Sequence, residues 1–158
     1  MIRADLHIHT CFSHDCTLSP EKLVSRGLRQ GLGCIAVTDH NTIRGALATR
    51  ELAPFTVIVG EEVLTSAGEV TGLFLSEEVP GGLSPIETAR RIKEQGGLVS
   101  IPHPFDRFRS SVIQPQALDD LILYADIVEV FNARNTFKRA DRLASDLAQA
   151  HDLAASAV

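Results

Sequence analysis

Residues 4–15 read ADLHIHTCFSHD and hold three of the chain's 6 histidines (His7, His9 and His14) together with Asp5 and Asp15. Imidazole and carboxylate at this density are the donors of a divalent-metal site. Two histidines one residue apart on a strand point to the same face, as two ligands of one ion require. A hydrogen-bonded pair of core histidines has the same spacing, so the pair alone does not decide. Similar groups follow the other apolar runs: Asp39-His40 after CIAVT, Glu61-Glu62 after TVIVG, His103 between Pro102 and Pro104, and Asn132 and Arg134 after IVEVF. Each has a plainer reading. Asp39 could cap the helix that starts in NTIRGALATREL. One of Glu61 and Glu62 should be a solvated side chain, because strand neighbours face opposite ways. His103 could be a rigid loop residue, and Arg107 and Arg109 are by default exposed. The coincidence of so many such groups at strand ends favours a metal site.

The elements that must position these groups alternate along the chain. Strand candidates are Ile2–Ile8, Cys34–Thr38, Thr56–Leu64, Val70–Leu75, Leu98–Ile101 and Ile127–Phe131, read from short β-branched runs. Helix starts are marked by Ser19-Pro20-Glu21, by Ser84-Pro85-Ile86-Glu87 and by Gln114-Pro115, and a long helix begins at Asn135. Gly31 or Gly33 and Gly96-Gly97 supply the stops. Strand–helix alternation predicts a parallel sheet with crossover helices, either an open doubly wound sheet or a closed barrel. In both, functional groups gather at the carboxyl ends of the strands. We expect one domain over residues 1–158. The tail from His151 to Val158 reads as a helix end feeding a further strand, in a fragment or short form of the fold.

Composition narrows the function classes. A formal net charge of −5 gives no electrostatic footprint for an extended nucleic-acid surface. No run of 18 or more apolar residues is present, and MIRADLH is charged where a signal peptide is apolar, so the expectation is a cytoplasmic protein without membrane contact. Three cysteines, Cys11, Cys16 and Cys34, read as reduced thiols. Imidazole and carboxylate without thiolate suit Zn, Mn or Fe ions better than Ca.

The segments Asp5–Thr10 (DLHIHT), Asp15, Val37–His40 (VTDH), Gly60–Glu62 (GEE), Pro102–Pro104 (PHP) and Glu129–Arg134 (EVFNAR), in this order, resemble the PHP (polymerase and histidinol phosphatase) superfamily of metal-dependent phosphoesterases. The resemblance implies an α/β fold, a distorted (β/α)7-type barrel, here incomplete at its C-terminus. It also implies two or three divalent metal ions (Zn, Mn or Fe) at the carboxyl rim. By position, His7 and His9 resemble ligands of a first metal, Glu62 a carboxylate bridging two metals, His103 a ligand of the second, and Asp15 with His40 part of a third site. Asp39 resembles a group that orients an imidazole, Glu61 takes a variable place, and His14 is a bystander. Two departures stand out: many members carry a histidine in the strand after G-x-E, where this chain reads EVTGLFL, and the family's G-S-D-A-H type motif would begin where this chain reads ASAV.

The expected activity is hydrolysis of a phosphate ester, with Glu62, His103 and Asp39 in the catalytic centre and Asn132, Arg134 and Arg107 on the phosphate. The expected substrate is a small phosphorylated metabolite, a nucleotide or a short oligonucleotide. The alternative is a catalytically silent metal-binding domain with a structural or interaction role. Hydrolysis of C–N bonds is disfavoured, because such enzymes commonly use a carboxylated lysine and no candidate strand carries a lysine. Oligomeric state and the particular ester stay open.

Overall fold

A computed structural model describes residues 2–134 and 138–158. Its strands are β1 (Ala4–Ile8), β2 (Cys34–Val37), β3 (Thr56–Thr65), β4 (Gly68–Leu73), β5 (Leu98–Ile101), β6 (Ile127–Phe131) and β7 (Ala154–Ala157). Between them lie α1 (Pro20–Gln30), α2 (Arg44–Leu52), α3 (Pro85–Glu94), α4 (Pro115–Leu121) and α5 (Lys138–Ala150). The strands form one sheet in the order β1-β2-β3-β4-β5-β6-β7. The edge strands β1 and β7 come within 8 Å of each other between Cα atoms, so the sheet curls into a nearly closed barrel.

The helix signals work as expected. Ser19 accepts from Lys22 N with Pro20 in the first turn, and Gly31 ends α1 in the left-handed conformation at φ 67°. Ser84 caps α3 in the same way, accepting from Glu87 N. The expected helix start at Asn135 lies outside the described residues. The tail does enter a strand: β7 pairs in parallel with β6. None of the described helices is long and apolar enough to cross a membrane.

The sheet is not wholly parallel, which corrects the expectation. β4 runs antiparallel to both β3 and β5. The cause is local: only Ser66 and Ala67 separate β3 from β4, and a parallel return needs a dozen or more residues. Gly68 at φ 117° makes the turn, where its Cα faces Ile113 too closely for any side chain. As a result Glu62 lies within a strand, three residues past the last β2–β3 rung at Val37–Val59.

Alternation along the strands sorts the barrel into two faces. The outer face carries the main core, including Ile35, Val57, Val59, Val70, Val99 and Val128, which packs against helix residues such as Leu23, Ala46 and Ile92. Each large aliphatic side chain buried there contributes about 1.5–3 kcal/mol. The inner face is narrower. Ala36, Ile58, Leu73 and Ile127, with Leu98, form an apolar floor. Gly60 sits above it, where a Cβ would meet Gly72 O and Thr38 Cγ2 at 2.9 Å. Further along the same faces come Glu62 on β3, Glu69 on β4 and Glu129 on β6, all buried. The barrel interior thus passes from hydrocarbon to carboxylate toward one rim.

Candidate metal centre

β1 delivers His7 and His9 to that rim, and their Nε2 atoms lie 3.1 Å apart. Glu62, wholly buried, stands at the centre of the imidazoles. Its Oε1 is 3.3 Å from His7 Nε2 and 3.1 Å from His103 Nε2. Its Oε2 is 3.3 Å from both His9 Nε2 and His40 Nδ1. Two donor groups therefore share one carboxylate: His7, Glu62 and His103, and His9, His40 and Glu62. The other nitrogen of His40, Nε2, is 3.7 Å from Asp15 Oδ1. This imidazole thereby joins a more exposed third group of His14, Asp15 and His40.

The groups behind the imidazoles fix which nitrogen faces the centre. His7 Nδ1 is 2.7 Å from Glu129 Oε2, and a carboxylate can only accept, so His7 carries its proton on Nδ1. His9 Nδ1 is 3.1 Å from Ser13 Oγ. That hydroxyl gives its only proton to Asp39 Oδ1 at 2.9 Å, so it accepts from His9 Nδ1–H. It also accepts from His40 N at 3.0 Å, which fills its capacity. Asp39 further accepts from Thr10 N and Thr10 Oγ1, each at 2.6 Å, and so clamps the loop after β1. The N-terminus of α2 presses on this clamp: a Cβ at Gly45 would lie 1.8 Å from Asp39 Oδ2, so only glycine fits.

These contacts test whether metal fits. With both Nδ1 atoms donating, the two Nε2 atoms meet lone pair to lone pair, a repulsive contact unless a cation lies between them. Glu62 Oε2 is buried with no hydrogen-bond partner, and so is His103 Nδ1. A fully buried carboxylate oxygen without a proton donor is costly unless an ion compensates it. Ligands held about 2.1 Å from a shared ion, at angles of about 90–120°, lie about 3.0–3.6 Å apart, which matches the spacing around Glu62. Burial opposes charge on His7, but the Glu62 charge and the hydrogen bonds to Glu129 and Glu62 outweigh it and push its pKa up to about 10. Burial likewise opposes charge on Glu62, and the surrounding histidines, His7 first, overcome it and hold its carboxyl well below the usual range. The donor set fits divalent ions.

The match to known proteins agrees with this donor set. Residues 5–101 match the family model described as the PHP domain. The chain belongs to the PHP domain family. Two uncharacterised proteins of Methanocaldococcus jannaschii are similar: one is 42% identical across 84% of this chain and 82% of its own length. The second is 35% identical across 97% of this chain, which spans only 62% of that relative. A shorter stretch, 30% of this chain and 16% of the relative, is 45% identical to the 5′-3′ exoribonuclease of Escherichia coli. Among solved structures, a protein of Bifidobacterium adolescentis put forward as a metal-dependent phosphoesterase superposes with a TM-score of 0.76 at 18% identity, over 98% of this chain and 85% of that one. An amidohydrolase of Chromobacterium violaceum, solved with sulfate, superposes with a TM-score of 0.71 at 17% identity, again over 98% and 85%. At such identities the likeness shows the fold.

In this PHP domain the structure gathers His7, His9, His40, Glu62 and His103 within one cluster, with Asp15 on its outer side. His103 reaches it through a backbone at φ 30°, a strained conformation for a non-glycine residue, held by flanking prolines and the burial of the ring. Asp39 does not cap α2, whose N-cap is Ile43; it reaches His9 through Ser13. One expectation is corrected: Glu61 is fully buried rather than solvated. His14 lies within ligand distance of Asp15 and His40.

The rim beside His7 and His9 opens into a cleft of about 100 Å³ lined by Arg109, Asn132 and Arg134. Arg109 is aimed there by Asp106, whose Oδ2 lies 3.1 Å from its Nε. Arg107 is exposed and, together with Arg109, lines an apolar cleft of about 270 Å³ beside Phe105, Leu118 and Leu143. Asn132 donates to Glu129 Oε1 at 2.6 Å and accepts from Arg134 N at 2.8 Å. Sequence reading missed Ser13, Glu69 and Glu129. For Glu129 the signal was a lone polar side chain on an otherwise apolar strand face; for Ser13, a hydroxyl four residues after a histidine.

Proposed function

We propose that this PHP domain hydrolyses phosphate esters, with divalent ions held by His7, His9, His40, Glu62 and His103 and a further ion near Asp15. One observation carries the reading: the Nε2 atoms of His7 and His9 face each other at 3.1 Å beside a buried carboxylate oxygen with no hydrogen-bond partner. Divalent ions in such a cluster supply positive charge for phosphate oxygens and an acidified water. The chain's own residues do the rest. Glu62 spaces the two donor groups with one oxygen on each side. Glu129 and the Ser13–Asp39 pair hold the imidazoles of His7 and His9 in the tautomer that presents Nε2. Arg109 and Arg134 flank the cleft where a phosphate would approach, and a guanidinium matches two of its oxygens at once. Asn132 keeps Glu129 in place and leaves one amide proton for the substrate.

The small cleft favours a terminal or small phosphate ester, such as a phosphorylated metabolite, a nucleotide or the end of a short oligonucleotide. The similar proteins described as a metal-dependent phosphoesterase and a 5′-3′ exoribonuclease support the same class. Ions of Mn, Zn or Fe type suit the nitrogen and oxygen donors.

The test is turnover of a generic phosphomonoester and a dinucleotide by the purified chain with added Mn²⁺, against His7→Ala. Metal-dependent turnover by the wild type, lost in the variant, supports the proposal. Turnover undiminished in His7→Ala overturns it. Metal retained by the wild type without hydrolysis of any ester would instead favour the catalytically silent domain.

A further inference from the structure

We infer that Glu69 is a second bridging carboxylate of the cluster, opposite Glu62. The inference rests on the reading above that the cluster holds divalent ions, and it assigns a ligand from a strand where the family resemblance led us to look for histidine.

The hairpin places Glu69. Because β4 returns antiparallel, Glu69 pairs with Leu64 and lies two residues from Thr71, which pairs with Glu62. Period-two alternation therefore puts Glu62, Thr71 and Glu69 on the inner face. Glu69 is only 5% exposed, so its charge must be compensated within the barrel. The hydrogen bond that its side chain accepts comes from the Ser111 hydroxyl, 2.6 Å from Oε2. The same segment holds the backbone, with Glu69 N donating to Ser111 O at 2.8 Å.

The two carboxylates address the same pair of imidazoles. Glu62 sends Oε1 to His103 and Oε2 to His40, at 3.1 and 3.3 Å. Glu69 sends Oε2 to His103 and Oε1 to His40, at 3.7 and 3.4 Å. Those separations exceed a good N–H···O bond. They lie close to the spacing of about 3.0–3.6 Å between two ligands of one ion. One oxygen toward an imidazole of each donor group is the arrangement of a bridge, and Glu69 repeats it from the neighbouring strand. A second carboxylate adds a hard oxygen donor and another negative charge, which shifts the preference of the site toward Mn²⁺ or Fe²⁺ relative to an all-imidazole shell.

The experiment is Mn²⁺ binding by equilibrium dialysis and calorimetry on the full chain, for the wild type, Glu69→Gln and Ser111→Ala. Glu69→Gln keeps size and one acceptor but loses the charge. It should weaken at least one Mn²⁺ site about 100-fold or abolish it, and Ser111→Ala should weaken the same site about tenfold. Unchanged Mn²⁺ stoichiometry and affinity in Glu69→Gln overturns the assignment. Should Glu69→Gln fail to fold, the Mn²⁺-soaked wild-type crystal decides. A Glu69 oxygen within about 2.5 Å of an anomalous peak supports the bridge, and none within about 3.5 Å overturns it. If the wild type itself binds no Mn²⁺, the metal reading and this one fall together. If only Glu69→Gln behaves as wild type, the metal reading stands and this one falls.

Discussion

Glu61 and Glu62 are neighbours on β3, both wholly buried, and they occupy opposite chemical worlds. Glu62 faces the barrel interior, with imidazole nitrogens from His7, His9, His40 and His103 around it. Glu61 faces the helix layer, where Val79 N donates to Oε2 at 2.8 Å and Oε1 has no partner. The first carboxyl is held ionised by its histidines. The second is pushed up to about 7, mainly by burial and in small part by the Glu78 charge. Burial is the same for both; the difference is the supply of positive charge. The inner face is built to hold cations and the outer face only to exclude water.

The comparison breaks most directly with paired isosteric variants. Glu62→Gln removes the charge shared by both donor groups and should lower Mn²⁺ affinity by at least about 100-fold, measured by equilibrium dialysis. Glu61→Gln should leave Mn²⁺ binding unchanged and alter stability instead. Glu61 has its pKa raised from 4.5 to about 7, so the folded state binds the proton more tightly than the unfolded chain. Its contribution therefore weakens as pH rises from about 4.5 to 7, by on the order of 3 kcal/mol. Denaturant melts across that range should show the wild type losing stability relative to Glu61→Gln by about that amount. Equal pH profiles, or lost metal in Glu61→Gln, would erase the contrast between the two faces.

A smaller effect sharpens the inner side. Glu129 touches His7 only at Nδ1, away from the centre, so Glu129→Gln leaves every donor in place but no longer fixes the His7 tautomer as firmly. Mn²⁺ affinity should fall about 10- to 100-fold with unchanged stoichiometry. A lost ion would make Glu129 a ligand rather than a positioning residue.

How far the sequence foretold this differs between the two sides of the rim. The first strand was legible because a His-x-His pair has one geometry on a strand; the apolar run did not choose between Glu61 and Glu62, and only the G-x-E resemblance singled out Glu62. Helix starts were legible from Ser19-Pro20 and Ser84-Pro85, which carry their own capping chemistry. The direction of β4 was not, although Ser66 and Ala67 leave no room for a crossover. Glu69 was hidden with it, since its face depends on that reversal. Glu129 looked like a polar interruption of an apolar strand until its pairing with His7, 122 residues away, was visible. Arg109 and Arg107 have the same type and neighbouring places, and only the irregular loop, with Asp106 anchoring one of them, separates their roles. The solvated role expected for one of the two glutamates failed because α/β barrels bury both faces of a strand.

The measurement that bears most directly on the account is anomalous scattering from crystals of the wild-type chain soaked in Mn²⁺. The account predicts strong peaks within about 2.3 Å of His7 Nε2, His9 Nε2 and Glu62. Crystals without anomalous density among these side chains, or with manganese only elsewhere on the surface, would contradict it.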